Sequence, residues 1–357
     1  MKKVRLSSIA TVNAGGTPSR SNLSYWNGDI PWVKISDIRG KHVQTYEETI
    51  SEEGLKNSSA KLFSKGTILY TIFATLGRVG ILDFDATTNQ AIAGINIQDE
   101  TIDCDYLYYF LRSQEKKVKA IGKGAAQQNI NLKILRDWLV PIRSKEEQTN
   151  IAGSLEKIES AISAKTELLN SLDSLVKSRF IEMFGDILTN ERKWPIKRLG
   201  DVCRVINGRA YSAPELLDSG KYKVLRVGNF FTNDSWYFSD LELPADKYCE
   251  KGDLLFAWSA SFGPRIWDGD KVIYHYHIWK LQDYENVLDK IFFFEELNWI
   301  VEDLKKKQHG STMSHFTKGD MENEQLPVPP IELQTQFRSF YELIDKSRFV
   351  CHSRNFL

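Results

Sequence analysis

From Ile151 to Met183 apolar residues recur at heptad spacing: Ile151, Leu155, Ile158, Ile162, Leu169, Leu172, Val176 and Met183, with Lys165 the polar intruder. That pattern predicts one long helix with a seam for a partner helix. Ser144 and Glu147 stand at the spacing of a capping box, in which each satisfies a free backbone donor of the other at the helix start. Gly185 is the residue type that closes a helix. About 40 residues at about 1.5 Å each give a rod of roughly 60 Å. Near the end of the chain a second helix begins after Pro329 and Pro330, with Leu333, Phe337, Tyr341 and Ile344 as its apolar positions.

Ahead of each helix the pattern turns strand-like. "IPWVKISDI" (Ile30–Ile38) and "YKVLRVGNF" (Tyr222–Phe230) are rich in β-branched and aromatic residues, and a further strand follows each Lys-Gly pair at Gly66 and Gly252. "CDYLYYFLRSQEKKVKAI" and "LDKIFFFEELNWIVEDLKKK" read as amphipathic helices ending in lysines, which a helix C-terminus favours. From the Lys-Gly pair onward these correspondences share one register, while the front of the copies runs at a slightly different offset. The offset that carries Gly66 onto Gly252 also carries Leu69 onto Leu255, Ile92 onto Ile278, Asp103 onto Asp289, Pro141 onto Pro327, Gln148 onto Gln334 and Thr149 onto Thr335. The chain is a tandem duplication. Each copy predicts an α+β domain of about 140 residues, an ordinary domain size. The boundaries are 1–143 for the first domain, 144–185 for its helix, 186–328 for the second domain and 329–357 for a helix that reads as short. Two domains held apart by paired helices make a ruler.

Composition narrows the class. The 357 residues suit two cores, and 47 basic against 47 acidic side chains leave no net charge, so a nucleic-acid surface would have to be local. Cys104, Cys203, Cys249 and Cys351 have neither redox nor zinc spacing, and no apolar run reaches transmembrane length. The expectation is an intracellular, cytoplasmic protein with no membrane partner.

Catalytic signatures are missing: there is no Walker glycine loop, no His-Glu-x-x-His and no dinucleotide fingerprint. His275 and His277 in "HYH" would share one face of a strand, but a third metal ligand is not in evidence, so no metal site and no catalytic residue are assigned. The candidates are DNA contacts. In the first copy Lys119 and Lys123 lead into Gln127, Gln128 and Asn129; at the same place in the second, Lys305 and Lys306 lead into Thr312, Ser314 and His315. Lysines hold phosphates, whereas amides, hydroxyls and imidazoles can read base edges. Lys34 and Arg226, matched in the two strands, and Asn89 and Gln90, matched to His275 and its neighbours, complete the set. The bland alternative for each is a solvated helix end or an ordinary loop. Recurrence at one place in the repeat, with changed chemistry, favours recognition.

"GGTPSRSNLSYWNGDIPWVKISDI", then "KGTILYT", "NQAIAGI" and "LVPIRSKEEQTNIAGSLEKI", resembles the DNA-specificity (S) subunits of Type I restriction–modification systems, over nearly the whole chain and twice. The resemblance implies two tandem target recognition domains, each followed by a helix, the helices pairing as an antiparallel coiled coil. It implies that each domain reads one half of a split target in double-stranded DNA, and that the chain itself is not catalytic. Two methyltransferase subunits and two restriction/motor subunits would be its partners. S-adenosylmethionine, ATP and Mg²⁺ would belong to those partners and no cofactor to this chain. Ile151, Leu155, Ile158, Ile162, Leu169, Leu172, Val176, Phe337, Tyr341 and Ile344 would form the helix-pairing or partner interface. Other readings are a coiled-coil scaffold that reads no DNA, a truncated silent or regulatory S subunit, and a self-contained enzyme, against which the missing motifs count.

Overall fold

A computed structural model describes residues 2–122, 130–231, 235–259, 263–307 and 317–353. The chain divides into two compact units, Met1–Ala164 and Lys165–Leu357, and the division falls inside a helix that runs Lys145–Phe184.

The first unit opens on a strand, Lys2–Arg5, that pairs antiparallel with Leu139–Ile142, so its front is tied to the strand that feeds the long helix. Between them lies a five-stranded sheet in the order Ala10–Ala14, Ile92–Ile97, Ile68–Thr71, Val79–Leu82 and His42–Val43. A smaller sheet holds Glu48–Ile50, Trp26–Val33 and Thr87–Thr88, the last two parallel. Helix Cys104–Ser113 starts where Asp103 accepts from the Tyr106 amide at 3.0 Å, and it buries Leu107, Tyr108 and Leu111 against the larger sheet's core. The helix expected to continue to Ile121 breaks at Gln114 and restarts as Glu115–Gly122.

The second unit repeats the plan. Ile196–Arg198 pairs with Gln325–Pro327; one sheet runs Arg204–Asn207, Ile278–Gln282, Leu254–Ala257, Gly263–Ile266; the other runs Tyr237–Ser239, Tyr222–Leu225, Val272–Tyr274, Tyr248–Cys249. Tyr222–Leu225 and Val272–Tyr274 are parallel, like their counterparts in the first unit. Helix Lys290–Lys307 is unbroken.

The repeated Glu-x-Gln-Thr has a structural cause. Gln148 and Gln334 are each fully buried at the mouth of a helix. The Gln148 amide oxygen accepts from the Asp103 backbone at 2.9 Å, while its NH₂ donates to Thr101 O and Arg143 O at 2.9 and 3.1 Å. Gln334 does the same with Asp289 N, Val287 O and Pro329 O at 2.7, 3.3 and 2.7 Å. One buried amide thus satisfies three backbone groups that water cannot reach, and no other side chain of that length offers both functions. Ser144 and Glu147 form the capping box, with Glu147 accepting from Ser144 N at 3.0 Å, and Gly185 sits at φ +76° where the helix ends.

Two expectations are corrected. The strands drawn through Lys34 and Arg226 stop one residue earlier, at Val33 and Leu225. The buried Asp37 carboxylate accepts from the Lys34 backbone at 2.8 Å and turns the chain into a helical turn, while a short helix, Val227–Phe231, follows Arg226. The heptad seam is not one continuous interface. In the second unit Leu172, Val176, Phe180 and Phe184 pack with Phe337, Tyr341 and Ile344 of the C-terminal helix, Ile331–Ser353. The order is antiparallel: Phe184 lies 5.7 Å from Phe337 between ring centres, and Asp173 meets Arg348 at 2.5 Å. In the first unit Ala152 is buried and Leu155 packs against the sheet core, but Ile158 and Ile162 are 55% and 60% exposed.

Candidate nucleic-acid interface

The parallel strand pair of each unit ends at a turn, and the two turns share one backbone. Asn89 N donates to Val33 O at 3.3 Å, Ile92 N to Asn89 O at 3.2 Å, and Ile72 N to Ala91 O at 2.8 Å. In the second unit His275 N donates to Leu225 O at 2.9 Å, Ile278 N to His275 O at 2.9 Å, and Trp258 N to His277 O at 3.0 Å. A strap from the front of each copy closes the turn. Gly15 N and Gly16 N reach Ile92 O and Thr88 O at 3.0 and 2.8 Å; Gly208 N and Arg209 N reach Ile278 O and Tyr274 O at 3.1 and 3.0 Å. A Cβ on Gly15 would stand 2.1 Å from the Thr88 hydroxyl, and one on Gly208 would stand 2.3 Å from His275 O, so only glycine lets the strap lie this close. The main-chain bonds are therefore common to both turns. The side chains they carry, Asn89-Gln90-Ala91 and His275-Tyr276-His277, differ, and each set makes its own bonds within its unit.

"HYH" is thus corrected from strand to turn: it lies between Val272–Tyr274 and Ile278–Gln282. The ring centres of His275 and His277 are 4.8 Å apart, but among the described residues no group of three or more His, Cys, Asp or Glu is placed to hold a metal. His277 N approaches His275 Nδ1 at 3.5 Å, which leaves the ring proton of a neutral imidazole on Nε2. Burial, followed by the nearby His277 and Arg226, pushes the His275 pKa down to about 4, so this imidazole is neutral at physiological pH. Tyr211 lies along His275 at 6.3 Å, and Trp258 meets His277 edge-on at 4.9 Å. In the first unit the Asn89 side-chain oxygen accepts from Ala91 N at 3.0 Å and the Gln90 oxygen accepts from the Thr17 hydroxyl.

Lys34 and Arg226 flank the two turns at equivalent places but in different states. Lys34 donates to Glu47 and Glu48 at 2.8 and 2.9 Å, and these bonds, Glu47 foremost, raise its pKa. Its charge is thus shared with two carboxylates in this structure. Arg226 is exposed, with its guanidinium 5.1 Å from the Tyr237 ring centre. Sequence reasoning overlooked Arg20, whose guanidinium stacks 3.6 Å from the Trp26 ring centre and pairs with Glu48 at 2.5 Å. It also overlooked Tyr211 and Trp258; the only signal was aromatic content, because the strap and a neighbouring strand bring them to the turn from distant sequence.

Lys119, Lys305 and Lys306 lie on helices Glu115–Gly122 and Lys290–Lys307, but their side chains are outside the described residues. Lys123, Gln127, Gln128, Asn129, Thr312, Ser314 and His315 are outside the described residues altogether. On the long helix, Ile162 borders an open cleft of about 810 Å³ that Arg78, Arg112 and Glu159 also line. Among the described residues no helix is long and apolar enough to cross a membrane.

A duplicated α+β unit that ends in a helix and carries different polar side chains on one invariant turn defines a class: a two-headed reader. Comparison with known proteins gives the family. The model of the Type I restriction modification DNA specificity domain matches residues 1–174 and again 191–348, so the chain belongs to that family and carries two DNA-specificity domains in tandem. It is 27% identical over 377 aligned positions to the Type I restriction enzyme MjaIX specificity subunit of Methanocaldococcus jannaschii, covering 96% of this chain and 85% of that one. It is 28% identical over 190 positions to the EcoR124I/EcoR124II specificity subunit of Escherichia coli, covering 51% of this chain and 46% of that one. The crystal structure of the S subunit from M. genitalium shares the fold with a TM-score of 0.61 at 17% identity, covering 99% of this chain and 91% of that one.

Proposed function

We propose that this chain is the non-catalytic specificity subunit of a Type I restriction–modification complex in which each unit reads one half of an asymmetric, two-part target in double-stranded DNA. The observation that carries this reading is the pair of turns: one hydrogen-bonded backbone, written with amides in one unit and imidazoles and a phenol in the other. A structural repeat with no reading role would have no reason to vary side chains on a turn whose backbone bonds are the same in both copies. Domains 1–143 and 186–328 are the two readers, and the helices 144–185 and 329–357 set the gap between half-sites and dock two methyltransferase subunits. The exposed Ile158 and Ile162 fit such docking, because an apolar strip on a helix gains by being covered. Two restriction/motor subunits complete the assembly in the cytoplasm. S-adenosylmethionine, ATP and Mg²⁺ serve those partners, and any base extrusion for methylation falls to the methyltransferase.

Selection of duplexes from a randomised library by the chain in complex with its methyltransferase subunits tests the reading. A motif in two unlike blocks separated by a fixed unselected gap is expected. Salt-insensitive or sequence-indifferent binding would favour a scaffold instead.

A further inference from the structure

We propose that the three-residue turn of each unit, Asn89–Ala91 and His275–His277, is the element that reads base edges, and that both turns act as hydrogen-bond donors to acceptors in the major groove. This rests on the DNA-reading function proposed above and adds to it the reading element and its polarity.

The polarity follows from what is already spoken for. A free side-chain amide offers one acceptor and two donors, and an asparagine or glutamine needs both functions to pair bidentately with adenine. Here the acceptor ends are occupied: Asn89 Oδ1 by the Ala91 amide and Gln90 Oε1 by the Thr17 hydroxyl. Each oxygen is held by one bond within the unit, whereas neither NH₂ has a partner among the described residues. The second turn arrives at the same polarity by another route, since His275 Nδ1 faces the His277 amide and the neutral ring carries its proton on Nε2. Donors suit guanine N7 and O6, adenine N7 and thymine O4, and do not suit cytosine N4. Gln90 and Tyr276 stand at the tip of each turn and are both exposed, Tyr276 by 39%.

Placement supports the same conclusion. The turn is held by the parallel strand pair, the neighbouring strand and the glycine strap, so a side chain there is presented from a rigid base. Rigid presentation is what base discrimination needs, because a contact misplaced by an ångström loses its directionality. Because the bonds that hold the turn to the sheets and the strap are main-chain, the triplet can change while those bonds stay. That allows the two halves of the target to differ while the fold stays the same.

The test uses the chain in complex with its methyltransferase subunits, the duplex it selects, and duplexes altered one base pair at a time in either half. Gln90→Ala should weaken the selected duplex about 10- to 100-fold, with the lost discrimination confined to one half-site; Tyr276→Ala or His277→Ala should do the same to the other half only. Gln90→Glu keeps the shape but removes the donor, and should move the preference at one position toward a base presenting a donor, cytosine or adenine. Thermal unfolding of each complex separates lost reading from lost folding. Equal damage to both halves, or undiminished discrimination in a folded Gln90→Glu complex, overturns the assignment to the turns while leaving the DNA-reading function standing. A wild-type complex that discriminates no duplex from any other overturns both.

Discussion

The two units keep the same residue where Gln148 and Gln334 are buried and differ at the turns whose tips, Gln90 and Tyr276, are exposed, although the backbone repeats at both places. At the helix mouth a side chain satisfies three backbone groups, so the residue type is fixed by the fold. At the turn the bonds common to both copies are main-chain, and the one side-chain bond to the turn's own backbone is made by an amide in one unit and an imidazole in the other, so more than one residue type serves. Duplication therefore left an identical glutamine in one place and exchanged Asn-Gln-Ala for His-Tyr-His in the other. The lesson is that divergence between the copies follows who makes the hydrogen bonds.

The long helix offers the same contrast along its own length. Phe180 is fully buried against Phe184, Phe292 and Phe337, whereas Ile162 is 60% exposed. Phe180→Ala should cost about 3–5 kcal/mol in urea unfolding, and Ile162→Ala about 0.5 kcal/mol or less. Equal costs would show that Ile162 is covered. Gln148→Ala and Gln334→Ala should each cost about 1–3 kcal/mol, because each strands buried backbone groups, and the two losses should match. Unequal losses would break the equivalence of the two helix mouths.

A pH profile sharpens the second unit alone. Burial raises the Glu295 pKa from 4.5 to about 7, against the pull of Arg348 and Lys177 and with the push of Asp173 and Glu302. The folded state then holds a proton that the unfolded chain has released, so stability is greatest below pH 4.5 on this account and declines as pH rises through 7. Glu295→Gln, which keeps the neutral shape, should flatten that decline between pH 5 and 8 in thermal unfolding; an unchanged profile would remove Glu295 as its source. The smallest effect concerns the flanking cations. Arg226→Gln should lower the slope of log affinity against log salt by about 1, and Lys34→Gln, with Glu47 and Glu48 already on its charge, by less.

Much of this was legible in the chain because it is local or periodic. The capping box, the closing glycine, the strands after each Lys-Gly pair and the repeat itself all depend on near neighbours or on register. "HYH" misled because two alternating imidazoles imitate a strand, while the backbone bonds that make it a turn come from Leu225, Trp258 and the strap at Gly208. The ion pairs of Lys34 were not legible for a related reason: Glu47 and Glu48 come to it from a separate segment at the start of the strand Glu48–Ile50. The seam was visible as a pattern, but its packing in the second unit, against Phe337, Tyr341 and Ile344, involves residues far along the chain. Long-range closure, which periodicity does not encode, decided each of these.

The most direct test of two unlike readers in one chain is base-resolution mapping of methylated DNA from cells expressing it with its methyltransferase partner. The account predicts adenine methylation at a single motif of two different blocks separated by a constant gap. A continuous motif, or one whose two halves are identical, would contradict it.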